Sequence, residues 1–287
     1  MESSADRATN LQWPRITVIT PSFNQAEFLE RTILSVIGQN YPNLEYLVID
    51  GGSTDGSIEI IKKYESAITW WVSEPDAGQT DAINKGIARA TGDWIGWQNS
   101  DDVYLGNVFA QVAELSLERP EVDLVIGDLQ LIDADDNPGR VIKYVRPSYK
   151  ALLAEGMLAA NQAAFWKRSL HDQIGVLNTE MQCSFDYDWF VRLTERTQNT
   201  LHVPRVWGAL RLHSETKTSN RALQFAKENE EVQRGRELRS WEYPAYRLRR
   251  GIAMLLQGQF RYVLIGLARR ACVQLRPKAR TKDSDRA

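Results

Sequence analysis

The sequence predicts an α/β protein with a mostly parallel central sheet flanked by helices and a helical C-terminal extension. Three observations predict this. Short apolar runs alternate with amphipathic ones through the first half of the chain, the pattern of strands joined by crossover helices and covered on both faces. Polar clusters follow each of those runs, at the strand ends where open α/β sheets bind ligands. At 287 residues and 43% hydrophobic content, the chain has ample material for a packed interior.

The elements follow in order. Residues 16–20 are expected as a buried strand and 26–39 as a helix, then 44–50 as a strand and 57–64 as a helix opening after a Gly/Ser/Thr/Asp turn. Strands at 69–73 and 93–98 and helices at 80–90 and 105–119 complete this alternation. Strand-like segments at 124–128 and 129–133, a turn at 134–139 and a return at 141–145 predict a β-hairpin. Beyond it come a strand at 163–166, a helix at 186–195 and a strand at 207–213, with no internal repeat or low-complexity tract. A charged, solvent-facing helix is expected over 222–238.

The net charge of −2 argues against a nucleic-acid binder held by bulk electrostatics. That total conceals an asymmetry: from Tyr243 to Lys282 there are ten Lys/Arg and no Asp/Glu, leaving 25 basic against 37 acidic side chains elsewhere. Cys183 and Cys272 make neither a disulfide framework nor a metal cluster, and the polar start carries no secretory signal. A cytoplasmic protein with a loose N-terminal flank over 1–14 is the expectation.

Four consecutive strand ends carry polar residues, at 21–24, 50–55, 74–76 and 99–102, and all point at one crevice. Taken singly, each is an ordinary set of turn residues. The adjacent pair Asp101 and Asp102 is the most informative. Neighbouring carboxylates repel and are costly to bury, so they serve a cation such as Mg²⁺ or Mn²⁺ whose shell phosphate oxygens complete, or they cap and charge the next helix. No G-x-G-x-x-G follows the first strand and no G-x-x-x-x-G-K-[ST] occurs, so both common glycine-loop phosphate cradles are missing.

The stretches ITVITPSFNQAEFLERTILSVIGQNYPNLEYLVIDGGSTDGS, SEPDAGQTDAINKGIARATGDWIGWQNSDDVY, FDYDWFVRL and LRLHSETKTSN resemble the family 2 glycosyltransferases over roughly residues 15–220. The resemblance implies the GT-A fold, with a nucleotide-binding half over 15–104, an acceptor-binding half over 105–220 and a basic helical extension over 221–287. It implies transfer of a sugar, with inversion, from a nucleotide-sugar donor, a UDP-sugar being favoured, to a glycan, lipid-linked or polysaccharide acceptor. Thr20, Pro21, Ser22, Phe23 and Asn24 match the first nucleotide loop. Asp50 matches an acid that contacts the base, although Gly51 stands where the family often has a second acid. Asp76 matches a base- or ribose-side acid, with Asn84 and Lys85 on the helix after it.

Asn99, Ser100, Asp101 and Asp102 occupy the place of the family's DxD motif, with Asn99 replacing the first acid. Metal and ribose contacts therefore fall to Asp101 and Asp102. His213 matches a position that completes the metal shell or contacts the diphosphate, with Arg211 and Lys217 as nearby cations. Asp186 matches the acceptor-side base, with Phe185 where many members carry Glu. The implied cofactor is a divalent cation, Mn²⁺ or Mg²⁺. The departures at Asn99 and Phe185 keep open a second reading, a sugar-nucleotide-binding or scaffolding protein without turnover.

Trp94 and Trp166 are expected in the core, and His171 and His202 as structural histidines. Over 248–275 apolar clusters mix with arginines, and Arg261 interrupts the best window for a spanning helix of about 20 apolar residues. Two readings stand for this segment: an amphipathic helix on the inner, anionic membrane surface, or a helix packed on the domain or a second subunit.

Overall fold

The computed structural model describes residues 13–214 and 221–264. Lys217, Cys272 and the 265–275 part of the basic segment lie outside the described residues.

Strand β1 (Ile16–Ser22) is buried along its whole length, because it sits between two parallel neighbours and is covered on both faces. Helix α1 (Ala26–Ile37) returns the chain with Phe28, Leu29, Thr32, Ile33 and Val36 inward, one face of a 3.6-residue period. Its first amides are answered from a distant loop: Asp55 Oδ2 accepts the Ala26 amide at 2.8 Å and Ser57 Oγ accepts the Gln25 amide at 3.1 Å. Next come β2 (Leu44–Asp50), α2 (Ser57–Lys63), β3 (Trp70–Ser73), α3 (Gln79–Arg89) and β4 (Trp94–Trp97). The parallel register aligns Ser22 with Asp50 and Asp50 with Ser73, so residues far apart in sequence share one edge of the sheet.

The second half is antiparallel and mixed. Strands β5 (Val103–Tyr104), β6 (Leu124–Ile132), β7 (Pro138–Ile142), β8 (Ala164–Lys167) and β9 (Thr200–Arg211) extend the sheet in the order β3-β2-β1-β4-β8-β6-β9-β5, with β7 paired to β6. Between them lie α4 (Val108–Glu118), α5 (Tyr149–Glu155), α6 (Arg168–Ile174) and α7 (Phe185–Arg196). The two strand-like segments expected over 124–133 are one strand, β6, whose register against β9 shifts around Asp128. Gly127 permits this: a Cβ there would lie 2.5 Å from Trp207 Cγ. The expected hairpin forms, its turn held by Asp133 Oδ1, which accepts the Asp135 and Asn137 amides.

The last strand begins seven residues before the expected 207 and ends at Arg211, short of His213. Pro204 is accommodated at the same register shift, between the pairs Ile126–His202 and Asp128–Val206, where it needs no ladder donor. Two helices, α8 (Ala222–Gln233) and α9 (Glu242–Leu256), close the described chain. The expected helix over 222–238 is shorter and not wholly solvent-facing, because Glu228 and Val232 turn inward against the domain. The expected run from 248 divides: α9 starts at Glu242, ends at Leu256, and helical turns resume at Phe260. Trp94, Trp97, Trp166 and Trp189 are all fully buried among the core side chains.

Candidate active site

A cleft of about 590 Å³ opens at the carboxyl edge of β1, β2 and β4 and runs toward β6, β7 and α7. Pro21, Phe23, Gly51, Asp76, Asn99, Asp101 and Asp102 line it from the first half, and Leu129, Ile142, Tyr144, Met157, Leu210 and Asp186 from the second. Polar strand ends thus face a largely apolar wall.

The loops after β1 and β2 are knitted together by their own side chains. Asp50 is buried and accepts the Gly52 amide at 3.1 Å, the Ser53 amide at 2.8 Å, and hydroxyls from Ser53 and Ser73. Asn24, at φ 50°, donates its amide to Ser53 Oγ and accepts the Thr54 amide at 2.9 Å. These bonds satisfy buried polar groups locally and hold the edge rigid without a ligand. Asp76 reaches the space beside Gly51: a Cβ at 51 would come 2.8 Å from Asp76 Oδ2. Glycine at 51 therefore makes room for the Asp76 carboxylate.

The aspartate pair is split by its surroundings. Asp102 is buried and accepts Gln162 Nε2 at 2.7 Å, Asn99 Nδ2 at 2.9 Å and the Arg211 amide at 2.9 Å. Burial, then the charge of Asp101, pushes its carboxyl up to about 8 against the pull of those three donors. Asp101 instead reaches the cleft, with Oδ2 lying 3.1 Å from His213 Nε2. The His213 ring packs on Phe28, ring centroids 4.7 Å apart, and the Phe28 ring also faces the Arg211 and Arg31 guanidiniums at 5.1 Å. Arg211 is completely buried and ties the loop to the hairpin, donating to the Asp101 carbonyl at 2.8 Å and pairing with Asp136 at 2.6 Å.

Helix α7 brings the acceptor-side acid. Ser184 is its N-cap, Asp186 and Asp188 lie in its first turn, and Asp188 pairs with Arg192 at 2.8 Å. Asp186 is therefore two residues inside the cap rather than the cap itself, half-buried at the cleft. The segment before it is clamped by Glu228 of α8, which accepts the amides of Gln182, Cys183 and Ser184 at 3.1, 2.9 and 2.7 Å. Burial acts to raise the Glu228 carboxyl, and those amides with Gln224 outweigh it and hold it below the usual range.

The remaining expected residues lie elsewhere. Thr20 is buried in β1, where its hydroxyl meets the Tyr46 phenol at 3.1 Å. Asn84 is spent on the loop before α7, donating to the Leu177 carbonyl and accepting its amide, each at 2.9 Å. Lys85 pairs with Glu74 at 2.9 Å. None of Thr20, Asn24, Asp50, Asn84 and Lys85 is among the residues lining the cleft, and His213 reaches it only through Asp101. His202 is structural, bonded to Asp128 at 2.9 Å, and His171 is buried against Trp189. Sequence reasoning missed Gln162 and Glu228, whose partners are 60 and about 45 positions away and leave no local signature. Among the described residues no group of three or more His, Cys, Asp or Glu side chains forms a complete metal site.

The family model described as glycosyl transferase family 2 matches residues 17–175. An uncharacterized glycosyltransferase of Mycobacterium tuberculosis is 36% identical over 183 residues, covering 62% of this chain and 68% of that protein. A PGL/p-HBAD biosynthesis glycosyltransferase of Mycobacterium bovis is 28% identical over 183 residues, 62% of this chain and 69% of that one. Among solved structures, the mannosyltransferase PcManGT of Pyrobaculum calidifontis, in complex with GDP-Man and Mn²⁺, superposes with a TM-score of 0.60 at 18% identity, over 94% of this chain and 86% of that chain. S. aureus TarS 1-349 in complex with UDP-GlcNAc gives 0.59 at 15% identity over 72% of this chain, which spans 61% of that structure's length. The architecture is the GT-A fold that these glycosyltransferases share. The chain is an enzyme that belongs to glycosyl transferase family 2.

Proposed function

We propose that the chain transfers a sugar, with inversion, from a nucleotide-sugar donor to a glycan, lipid-linked or polysaccharide acceptor, using a divalent cation, and that a UDP-sugar is the favoured donor. The observation that carries this reading is the meeting of Asp101 with His213, at 3.1 Å, beside a cleft that Asp186 also lines from another element. The donor's base and ribose would lie along the loops after β1 and β2, near Phe23, Gly51 and Asp76. Solved relatives of the same fold hold UDP-GlcNAc or GDP-Man, which supports a nucleotide-sugar and leaves the choice of base to Asp76 and its neighbours.

The donor set fits Mn²⁺ or Mg²⁺. A carboxylate and an imidazole make one edge of a coordination shell, and two donors from the protein suffice where diphosphate oxygens supply others. A cation beside Asp101 would also offset the carboxylate repulsion that adds to burial in raising the Asp102 carboxyl. Bound there, it would stabilise the negative charge developing on the leaving diphosphate.

Asp186 acts as the base. It takes the proton of the acceptor hydroxyl as the oxygen bonds to the anomeric carbon, while the carbon–oxygen bond to the diphosphate breaks and its electron pair leaves with the nucleotide. One carboxylate suffices because attack comes from the face opposite the leaving group. The apolar wall of Leu129, Ile142, Tyr144 and Leu210 suits the apolar face of a sugar ring.

The direct test is calorimetry of UDP and GDP, each with and without Mn²⁺, followed by nucleotide release from the matching sugar donor. Metal-dependent binding of UDP with turnover supports the donor, the cation and the transfer step of the proposal. Binding without any release of UDP from UDP-sugars in the presence of acceptor glycans would favour the non-catalytic reading that Asn99 and Phe185 keep open.

A further inference from the structure

Helix α9 has two unlike faces. The inner face packs on the domain: Met254 is buried, Tyr246 lies against the core, Glu242 pairs with Lys150 at 2.6 Å and Arg250 with Glu155 at 3.1 Å. The outer face carries Leu248, Ile252 and Leu255 at four- and three-residue spacing, with Trp241 two turns earlier on the same line. All four are exposed, Leu256 beside them is 84% exposed, and Phe260 and Leu264 add two more exposed apolar side chains. Of the thirteen large apolar residues exposed among the described residues, seven fall within 241–264, whereas the others are scattered over the rest of the chain. A concentration of this kind marks an interaction surface.

Charge says which kind. Arg247, Arg249 and Arg261 accompany the stripe, and among the described residues none of them has an acidic partner. The segment from Tyr243 to Lys282 has ten basic and no acidic residues, in a chain whose remainder is acidic. Among the described residues no helix is long and apolar enough to cross a membrane. An apolar stripe edged with unpaired arginines on a short helix is the pattern of a segment lying in the plane of an anionic lipid interface.

We propose that the outer face of α9 and the turn beginning at Phe260 dock on an anionic phospholipid surface, the apolar stripe entering the acyl boundary and Arg247, Arg249 and Arg261 meeting headgroup phosphates. Docking there brings the cleft to the lipid. Tyr246 of α9 packs against the core cluster that contains Tyr144, a residue that lines the cleft, and Gln257 Nε2 is 3.4 Å from His202 Nδ1. The consequence for substrate rests on the proposed transferase reading: the acceptor is a saccharide whose lipid anchor stays in the bilayer while its sugar end enters beside Tyr144.

The test is flotation of the full chain with vesicles of phosphatidylcholine alone and of phosphatidylcholine mixed with phosphatidylglycerol, for the wild type and for Leu248→Glu/Ile252→Glu. Three arginines at the interface predict at least about tenfold tighter binding to the anionic vesicles, reduced by salt. The double variant, at exposed positions, should keep its thermal midpoint and nucleotide binding while losing about tenfold or more of the lipid binding. Equal binding to both vesicle types, no binding to either, or an unchanged double variant would each overturn the proposal. So would a wild-type dimer that the double variant converts to monomer without any lipid binding, because the face would then join two copies of the chain. Lipid binding is read without turnover, so its failure leaves the transferase reading intact, and absence of nucleotide binding by the wild type would sink that reading while sparing this one.

Discussion

The loops after β1 and β2 and the segments around Asp101 and Asp186 border the same cleft, but they are held in place differently. Asp50 finds its main partners within three residues and across one strand, and Asn24 finds its partners in the adjacent loop. Asp102 depends on Gln162 and Arg211, 60 and 109 positions away, Asp101 on His213 at 112, and the amides before α7 on Glu228. A donor edge built from local turns stays rigid through its own backbone, while the reacting edge is only as ordered as the packing of β9 and α8 behind it. Damage to the second region should therefore cost more than damage to the first.

The largest effect is expected at Asp101. Asp101→Asn should lower transfer by about 10³-fold and abolish Mn²⁺-dependent tightening of nucleotide binding, because the anionic ligand that would hold the cation at the leaving diphosphate is removed. Transfer within tenfold of wild type would remove Asp101 from the reacting edge. Asp186→Asn should follow, with kcat reduced by about 10²–10³ and the donor dissociation constant unchanged in calorimetry, as removal of a general base requires.

Behind the reacting edge, Asp128 holds His202, Lys143 and the Tyr144 amide at 2.8 to 3.0 Å. Burial acts to raise its carboxyl, and the three hydrogen bonds together outweigh it, so it titrates below the usual range. Asp128→Asn should cost about 3 kcal/mol in denaturant unfolding at neutral pH, since it leaves buried donors poorly matched. A depressed folded pKa contributes stability above the unfolded carboxyl's value and loses it as pH falls through the folded one. The gap in Tm between wild type and variant should therefore narrow below about pH 4, and a constant gap down to pH 2 would show that packing rather than charge holds the site.

Glu228→Gln sharpens the comparison at α7. It keeps the volume but replaces a carboxylate that accepts three amides, and a loss of about 1–2 kcal/mol with a several-fold fall in kcat is expected while UDP affinity is unchanged. Gly51→Ala should have the smallest effect. Its Cβ would displace the Asp76 carboxyl, weakening donor binding by less than about tenfold in titration and leaving stability within about 0.5 kcal/mol. If Gly51→Ala proved as damaging as Asp101→Asn, the contrast between the two regions would fail.

Much of the fold was legible in the chain. The strands at 44–50 and near 94–97 and the helix at 57–63 lie close to where apolar periodicity predicts them, because parallel strands buried on both faces read as continuous apolar runs. The short helices α5 and α6 were not anticipated, since they lie in the second half, outside the regular strand–helix alternation and the turn signal that mark the equally short α2. Strand β9 was expected too short, because Pro204 and the exposed Arg205 mask a strand that tolerates them only at a register shift. For the candidate site, the motif residues Phe23, Asp76, Asn99, Asp101, Asp102 and Asp186 all line one cleft, while Asn84 looks like a cleft residue in sequence and serves as a tie to Leu177.

By itself, the sequence determined which strand ends are polar, where two carboxylates stand side by side, and that a basic, apolar segment follows an acidic body. These are properties of neighbouring residues, and hydrophobic period and turn chemistry express them within a few positions. Only the tertiary structure decided that Asp102 is buried and Asp101 meets His213, that Glu228 clamps the entry to α7, and which face of α9 is left to solvent. The physical reason is desolvation: whether a carboxylate is charged, bonded or exposed depends on what packs over it, and here that covering comes from residues tens to more than a hundred positions away.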